Sequence, residues 1–476
     1  MNLRFNGAFM GNKLSRGIIN VLIANVINLL FNLASNFLLP KYLSVDAYAH
    51  IKTFTLLLTY AGFLHFGYAD GMYLKYGGVE QAELDTNNLD NNLSTMRIFQ
   101  AGVSIILVAV GIAINSMGVI IFGLTLLPYN MSWYFRNLYQ AIGSFKAYSK
   151  VINFITIALF VCNMTLLFWV RTDYYGVYLL VYLVVYFGAW AYMEIRLRKI
   201  LPYKFHLFLF SLYEFKDNIA NGFLLMLGNF SSNLLTSMDR WFVKAYLDNL
   251  AFAQYSFAVS MESFLNVALT PIAVTLYNFF CKTDDIAKIN KIKQFVMIFA
   301  AFIISSAFWG DWILHIWLTK YIGSADVLYF LFCSQFFYFV IKSIYINLYK
   351  AQKRQRTYFV KLIIIIVYGF AANYLFFKIV SIKESFALAT LTSAALWFIL
   401  CALDFKNIGV SFREVLYSII CIVAFLLSGI FVGSLLGFAI YISIMLMATV
   451  LLFRNEFLEL ITFAFNAVKS FAKKHW

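Results

Sequence analysis

The chain is 476 residues long, 62% hydrophobic and 12% charged, with a mean hydropathy of +0.79; soluble domains run roughly 45–50% apolar and about 25% charged. That balance excludes a water-soluble enzyme and makes lipid the solvent. The net charge of +15 does not mark a nucleic-acid partner, because Lys and Arg sit in the short segments between apolar runs instead of forming one basic face.

Apolar runs of roughly 18–25 residues recur from end to end, each enough to cross about 30 Å of hydrocarbon as a helix. They predict an all-α polytopic membrane protein of about fourteen transmembrane helices. The first span, 17–38, follows Arg4, Lys13 and Arg16 and shows no small-residue cleavage site, so it is expected to be retained. Further spans are expected at 47–69, 96–115, 118–141, 151–170, 174–194, 217–238 and 251–277. The second half adds 294–317, 327–348, 358–377, 385–403, 415–432 and 435–453. The longest connections, 71–95 and 195–216, leave no room for a soluble catalytic domain. From Arg454 to Trp476, Phe457, Leu460, Phe463 and Phe471 interleave with Lys469, Lys473 and Lys474, the pattern of an amphipathic helix on a membrane surface.

Charge tests the span count, since one missed helix inverts every later loop. With the N-terminus in the cytoplasm, only Lys41, Arg171, Arg240, Lys244, Lys320, Lys378 and Lys383 fall on or near the outer side. Most other cations fall inside, including Arg196-Leu197-Arg198-Lys199 and Lys353-Arg354-Gln355-Arg356, as the positive-inside rule requires. Both termini are then cytoplasmic.

An offset of 204 residues sets Tyr42-Leu43-Ser44-Val45-Asp46-Ala47-Tyr48-Ala49 against Tyr246-Leu247-Asp248-Asn249-Leu250-Ala251-Phe252-Ala253, and Asn25 against Asn229. Six spans separate the copies, so two six-helix lobes would share one orientation, as in parallel-repeat transporters. The expected organisation is an N-terminal lobe at 1–204, a C-terminal lobe at 205–404, two additional transmembrane helices within 405–453, and the tail 454–476.

Polar residues inside spans locate the chemistry. Asn25, Asn28, Asn32 and Asn36 recur at helical spacing on one stripe of span one. Facing lipid they would be costly; facing a hydrated cavity they would hydrogen-bond sugar hydroxyls, and between helices they would serve polar packing. Span seven repeats the pattern with Asn229, Ser232, Asn233 and Thr236. Glu262 lies eleven residues into span eight, about 16 Å deep at 1.5 Å per residue, where a carboxylate suits coupling to H+ or Na+ or a structural hydrogen bond to a neighbouring span. Lys52, five residues into span two, either snorkels to the interface or, as favoured here, faces the cavity as a phosphate counter-charge; Arg240 is an ion-pair partner of Asp239 or a guard at the cavity mouth. Arg136 and Lys342 read as interfacial anchors, and Pro128 and Pro271 as kinks.

Cys162, Cys281, Cys333, Cys401 and Cys421 lie in or beside apolar runs with no CxxC and no His at ligand spacing, so they read as packing residues and no metal is expected. The spacing from His65 to Asp70 resembles an acyltransferase pair but stands isolated at a helix end. No G-x-x-x-x-G-K-[ST] occurs, and no cofactor is expected.

The stretch Leu39-Pro40-Lys41-Tyr42-Leu43-Ser44-Val45-Asp46-Ala47-Tyr48, followed by Gly67-Tyr68-Ala69-Asp70-Gly71 and Lys75-Tyr76-Gly77-Gly78, resembles the opening of the polysaccharide-transporter family, the Wzx-type flippases of lipid-linked oligosaccharides. Met238-Asp239-Arg240-Trp241-Phe242 through Tyr255-Ser256-Phe257-Ala258 is similar to the start of that family's second lobe. The resemblance implies a transporter and not an enzyme, with two six-helix lobes around an alternately opened cavity. Its substrate would be an undecaprenyl-diphosphate-linked oligosaccharide, an O-antigen or other surface-polysaccharide unit of lipopolysaccharide type, flipped across a bacterial inner membrane. A glycan polymerase, a chain-length regulator and membrane lipid are the further partners it implies. The family expects a cationic cavity for the diphosphate, whereas the spans here offer Lys52 and an opposing Glu262. A drug or small-cation exporter of the same multidrug/oligosaccharidyl-lipid/polysaccharide exporter superfamily, or a polytopic enzyme of glycan assembly, are the alternatives.

Overall fold

A computed structural model describes residues 27–77, 79, 84–142, 144–200, 209–282, 285–460 and 462. Among them there is no strand, and all fourteen predicted spans fall on helix, the first from residue 27 onward. Asn25, the basic N-terminal residues, the 204/205 lobe boundary and most of the tail lie outside the described residues. The chain divides into two compact units, Met1–Asn233 and Leu234–Trp476.

The first unit holds α1 (27–42), α2 (Val45–Ala61), α3 (Tyr68–Tyr76), α4 (Thr86–Ala113), α5 (Met117–Ala141), α6 (Phe145–Met164), α7 (Tyr175–Ile200) and α8 (Leu212–Leu235), which ends just past the division. α5 is its central helix: it packs against α2, α3, α4, α6 and α7, and more than half of its residues are buried. It runs through Pro128 as one continuous helix. The turn between α2 and α3 is set by Phe66 and Gly67, both left-handed, the latter at φ 85°. A Cβ on Gly222 of α8 would stand 2.0 Å from the Gly67 carbonyl, so α8 meets this turn backbone to backbone. His65 and Asp70 bracket the same turn: His65 Nδ1 accepts from the Gly67 amide at 3.1 Å, with Asp70 3.9 Å from Nε2.

The second unit holds α9 (Met238–Tyr246), α10 (Asn249–Glu262), α11 (Leu265–Phe280), α12 (Ile286–Ile303), α13 (Ser306–Ile316) and α14 (Ala325–Val340), which continues through a π-turn (Ile341–Tyr345) into α15 (Ile346–Ala351). Then come α16 (Gln355–Ile379), α17 (Glu384–Asp404), α18 (Phe412–Leu427) and α19 (Ser434–Leu452). α14 is the central helix here, packed by α10, α12, α13, α17 and α18. Pro271 lies inside α11, whereas the break in span eight falls upstream of it, at Ser263 and Phe264.

The repeat is visible in the hydrogen bonds at each first junction. Leu43 N donates to Leu39 O at 3.0 Å and Leu247 N to Val243 O at 3.0 Å. Ser44 then caps α2 by accepting from Ala47 N at 3.2 Å, and Asp248 caps α10 by accepting from Ala251 N at 2.8 Å. All these atoms keep the 204-residue offset. Ser and Asp are interchangeable as N-caps, which is how the repeat survives substitution.

Ten helices among the described residues are long and apolar enough to cross a membrane. α5 falls short because its C-terminal half turns polar with Asn130, Ser132, Arg136 and Asn137. Loop contacts respect the predicted alternation: Ser44 N donates to Asp173 at 2.8 Å, joining two segments expected on one face, and Lys75 pairs with Glu214 at 2.9 Å, joining two expected on the other.

Candidate functional sites

Each unit encloses a polar cavity. That of the first, about 350 Å³, is walled by α1, α2, α5, α6 and α7. Three of the predicted stripe residues, Asn28, Asn32 and Asn36, border it together with Lys52. The Lys52 ammonium donates to Asn36 Oδ1 at 3.0 Å and lies 5.2 Å from the centre of the Tyr48 ring. Asn28 Oδ1 accepts from the Thr156 hydroxyl. The stripe therefore both packs against neighbouring helices and faces the cavity.

Arg136 also borders this cavity, which corrects its reading as an interfacial anchor. It sits on α5 one helical face with Tyr129, its guanidinium carbon 4.9 Å from the Trp133 ring and its Nε without a hydrogen-bond partner. Asn163 Oδ1, likewise unpartnered and buried, faces the same space. Among the described residues no carboxylate lines it. The first cavity is thus cationic, with amide and hydroxyl groups around the two charges.

The second cavity, about 260 Å³, lies among α9, α10, α14 with its π-turn, and α17. It gathers Asp239, Arg240, Glu262 and Lys342. Asp239 is buried and accepts from the Tyr255 hydroxyl at 2.7 Å, from the Arg240 amide at 2.8 Å and from Thr390 at 3.4 Å. Arg240 thus meets Asp239 through its backbone, leaving Nε of the guanidinium unpartnered. Glu262 accepts from the Gln335 amide group, and Gln335 Oε1 has no partner. Lys342, expected as an interfacial anchor, lines this cavity, its ammonium 5.3 Å from the centre of the Tyr338 ring. The spacing of Gln335, Tyr338 and Lys342 on one helical face was the signal that could have identified it. Two acids and two bases make this cavity close to neutral.

Asn229 is exposed on α8 and Asn233 is half-buried; neither borders the two cavities described. Thr236, the last of that stripe, lines the second. His65 and Asp70 border neither cavity.

The cavities share four corresponding walls: spans one, two, four and six contribute to the first, and seven, eight, ten and twelve to the second, while span five adds a further wall to the first alone. Arg136 and Lys342 come from the corresponding spans four and ten. On spans two and eight the sign reverses, Lys52 against Glu262.

No protein-family model and no curated protein sequence matches the chain. Solved structures do. The lipid II flippase MurJ in its inward closed conformation is similar with a TM-score of 0.59 at 12% identity, over 92% of this chain and 99% of its own. A mutant of the Vibrio cholerae MATE transporter VcmN has a TM-score of 0.54 at 11% identity, over 84% of this chain and 97% of its own. A MATE protein in the straight conformation has a TM-score of 0.52 at 12% identity, over 83% of this chain and 96% of its own. At such identities the likeness is one of fold. The chain is a multi-pass, all-α membrane protein with the fold shared by MurJ and the MATE transporters.

Proposed function

We propose that this protein is a flippase that carries a polyprenyl-diphosphate-linked oligosaccharide from the cytoplasmic to the outer leaflet of a bacterial inner membrane. The observation that carries this reading is the first cavity: Lys52 and Arg136 face it, amides surround them, and no carboxylate lines it. A hydroxyl-rich diphosphate headgroup cannot cross hydrocarbon unaided, while its polyprenyl tail belongs there. Two cations supply charge-assisted hydrogen bonds to phosphate oxygens, and Asn28, Asn32 and Asn36 supply both donors and acceptors for sugar hydroxyls. Asn25, Asn229, Asn233 and Arg240 are proposed as further residues that meet the substrate during the cycle. Alternating access moves the opening between leaflets, and both termini stay in the cytoplasm.

Glu262 is the proposed coupling residue, exchanging H+ or Na+ during the cycle. An undecaprenyl-linked O-antigen or other surface-polysaccharide unit is the proposed cargo, delivered to a glycan polymerase and chain-length regulator. The decisive experiment deletes the gene and measures undecaprenyl-linked oligosaccharide: accumulation on the cytoplasmic leaflet supports the reading, and unchanged levels with normal surface glycan refute it.

Asp239 and Glu262 favour one other reading, a small-cation exporter. Against it stand Arg240 and Lys342 in the same cavity, which offset both acids.

A further inference from the structure

A second kind of site lies on the outer surface of the second unit. α17 and α18 diverge and leave an apolar groove of about 510 Å³, with Phe337 of α14 in its lining. Ala395, Ile399 and Ala402 form a stripe along α17, opposed by Val415 and Ile419 of α18. The small side chains at 395 and 402 keep it deep. Ile399 and Ile419 are more than half exposed, at 51% and 52%, so the groove opens to the lipid side.

Its ends differ. The chain turns after Asp404, and Lys406 lines the groove there. Among the described residues Lys406 has no ion-pair partner, whereas the neighbouring cations are engaged: Lys293 with Glu414 at 2.9 Å and Lys361 with Asp404 at 3.1 Å. Arg354 donates to the Asp404 carbonyl at 3.3 Å. These contacts bring the ends of α12, α16, α17 and α18 to one face, the cation-rich face that the positive-inside rule assigns to the cytoplasm.

From Ala395 to Asp404 the groove runs roughly 14 Å at 1.5 Å per residue, about half of a 30 Å hydrocarbon core. An apolar slot one leaflet deep, with a cation at its mouth that has no ion-pair partner among the described residues, matches a lipid of that leaflet. We infer that the groove between α17 and α18 holds one acyl chain of an anionic phospholipid of the cytoplasmic leaflet, its phosphate at Lys406. The occupant is a resident lipid, distinct from the cargo, and the inference stands whether or not the protein flips oligosaccharides.

The test is thermal unfolding of the full chain in detergent with added phosphatidylglycerol, phosphatidylcholine or polyprenyl monophosphate. Phosphatidylglycerol is expected to raise the midpoint by roughly 5 °C, and phosphatidylcholine by less than half as much. Lys406→Gln, on the surface, should reduce the phosphatidylglycerol response to the phosphatidylcholine level. Ala402→Leu, which fills the groove, should diminish both. Equal responses to the two phospholipids in the wild type, or an undiminished preference in Lys406→Gln, would overturn the assignment. Protection by polyprenyl monophosphate alone would also overturn it and give the groove to the tail of the cargo.

Discussion

The two cavities share four corresponding spans and differ in electrostatic character, one cationic and the other close to neutral. In the first unit, Lys52 and Arg136 are surrounded by amides and no acid. In the second, Arg240 and Lys342 face Asp239 and Glu262. A repeat that preserves helix order, N-caps and even a cation on spans four and ten has diverged in charge on two walls: Lys52 lies on span two and Glu262 on span eight, and Ser35 and Asn36 stand opposite Asp239 and Arg240. That divergence fits a division of labour: one cavity suited to a fixed anion, the other with charges that nearly cancel, so that one proton or ion changes its net sign.

Removing the cations of the first cavity should have the largest effect. Truncating one partner of a desolvated charge contact costs about 2–5 kcal/mol, so Lys52→Gln with Arg136→Gln should reduce flipping of a lipid-linked oligosaccharide in proteoliposomes by at least about 100-fold. Retained activity would remove the basis for an anionic cargo. Next in size is adding an acid. Asn36 already accepts from Lys52 at 3.0 Å, and a carboxylate at that position would hold the ammonium and compete with phosphate. Asn36→Asp should therefore lower flipping on the order of tenfold, whereas Asn266→Asp, at a residue that lines the second cavity, should change it less than about threefold. Equal losses would mean that the contrast between the cavities has no functional content. Glu262→Gln comes third: the amide still offers an acceptor to Gln335, so the protein should reach the membrane in normal amounts while ion-driven export falls about tenfold. Wild-type export by this variant would end the coupling role.

Much of this was legible in the sequence. Runs of apolar residues fixed the helices, and the repeated Tyr-Leu-Ser/Asp junction marked the corresponding caps, because lipid and N-cap chemistry both act locally. Lys52 and the Asn stripe were found by periodicity. The cavity contacts of Arg136 and Lys342 were missed because depth was judged from the nearest span end, and position along a helix says nothing about which side of it faces a cavity. Arg136 lies on α5 and Lys342 on the π-turn that continues α14, each on the central helix of its unit. Asp239 was recognised only as a neighbour of Arg240; its contacts to Tyr255 and Thr390 join residues 16 and 151 positions apart, a relation set by packing. Asn229, read as a cavity residue by analogy with Asn25, is exposed.

The smallest effect is expected from a charge outside both cavities, and it serves as their control. Asp285 caps α12, accepting from Ala287 N at 3.1 Å and Lys288 N at 3.2 Å, and its carboxylate lies 3.0 Å from the Lys288 ammonium. The hydrogen bond from the Lys288 side chain, and then that from its backbone amide, hold the Asp285 carboxyl below its ordinary range. A depressed folded-state pKa contributes stability above the unfolded value, near 3.9, and that contribution is lost as pH falls through the folded value. Amide exchange in the first turn of α12 should therefore be slower in the wild type than in Asp285→Ala at neutral pH, with the difference disappearing in strong acid. Flipping should be unchanged by the substitution. A loss comparable to that of Asn36→Asp would show that net charge anywhere on the chain governs transport, and the contrast between the two cavities would then carry no special weight.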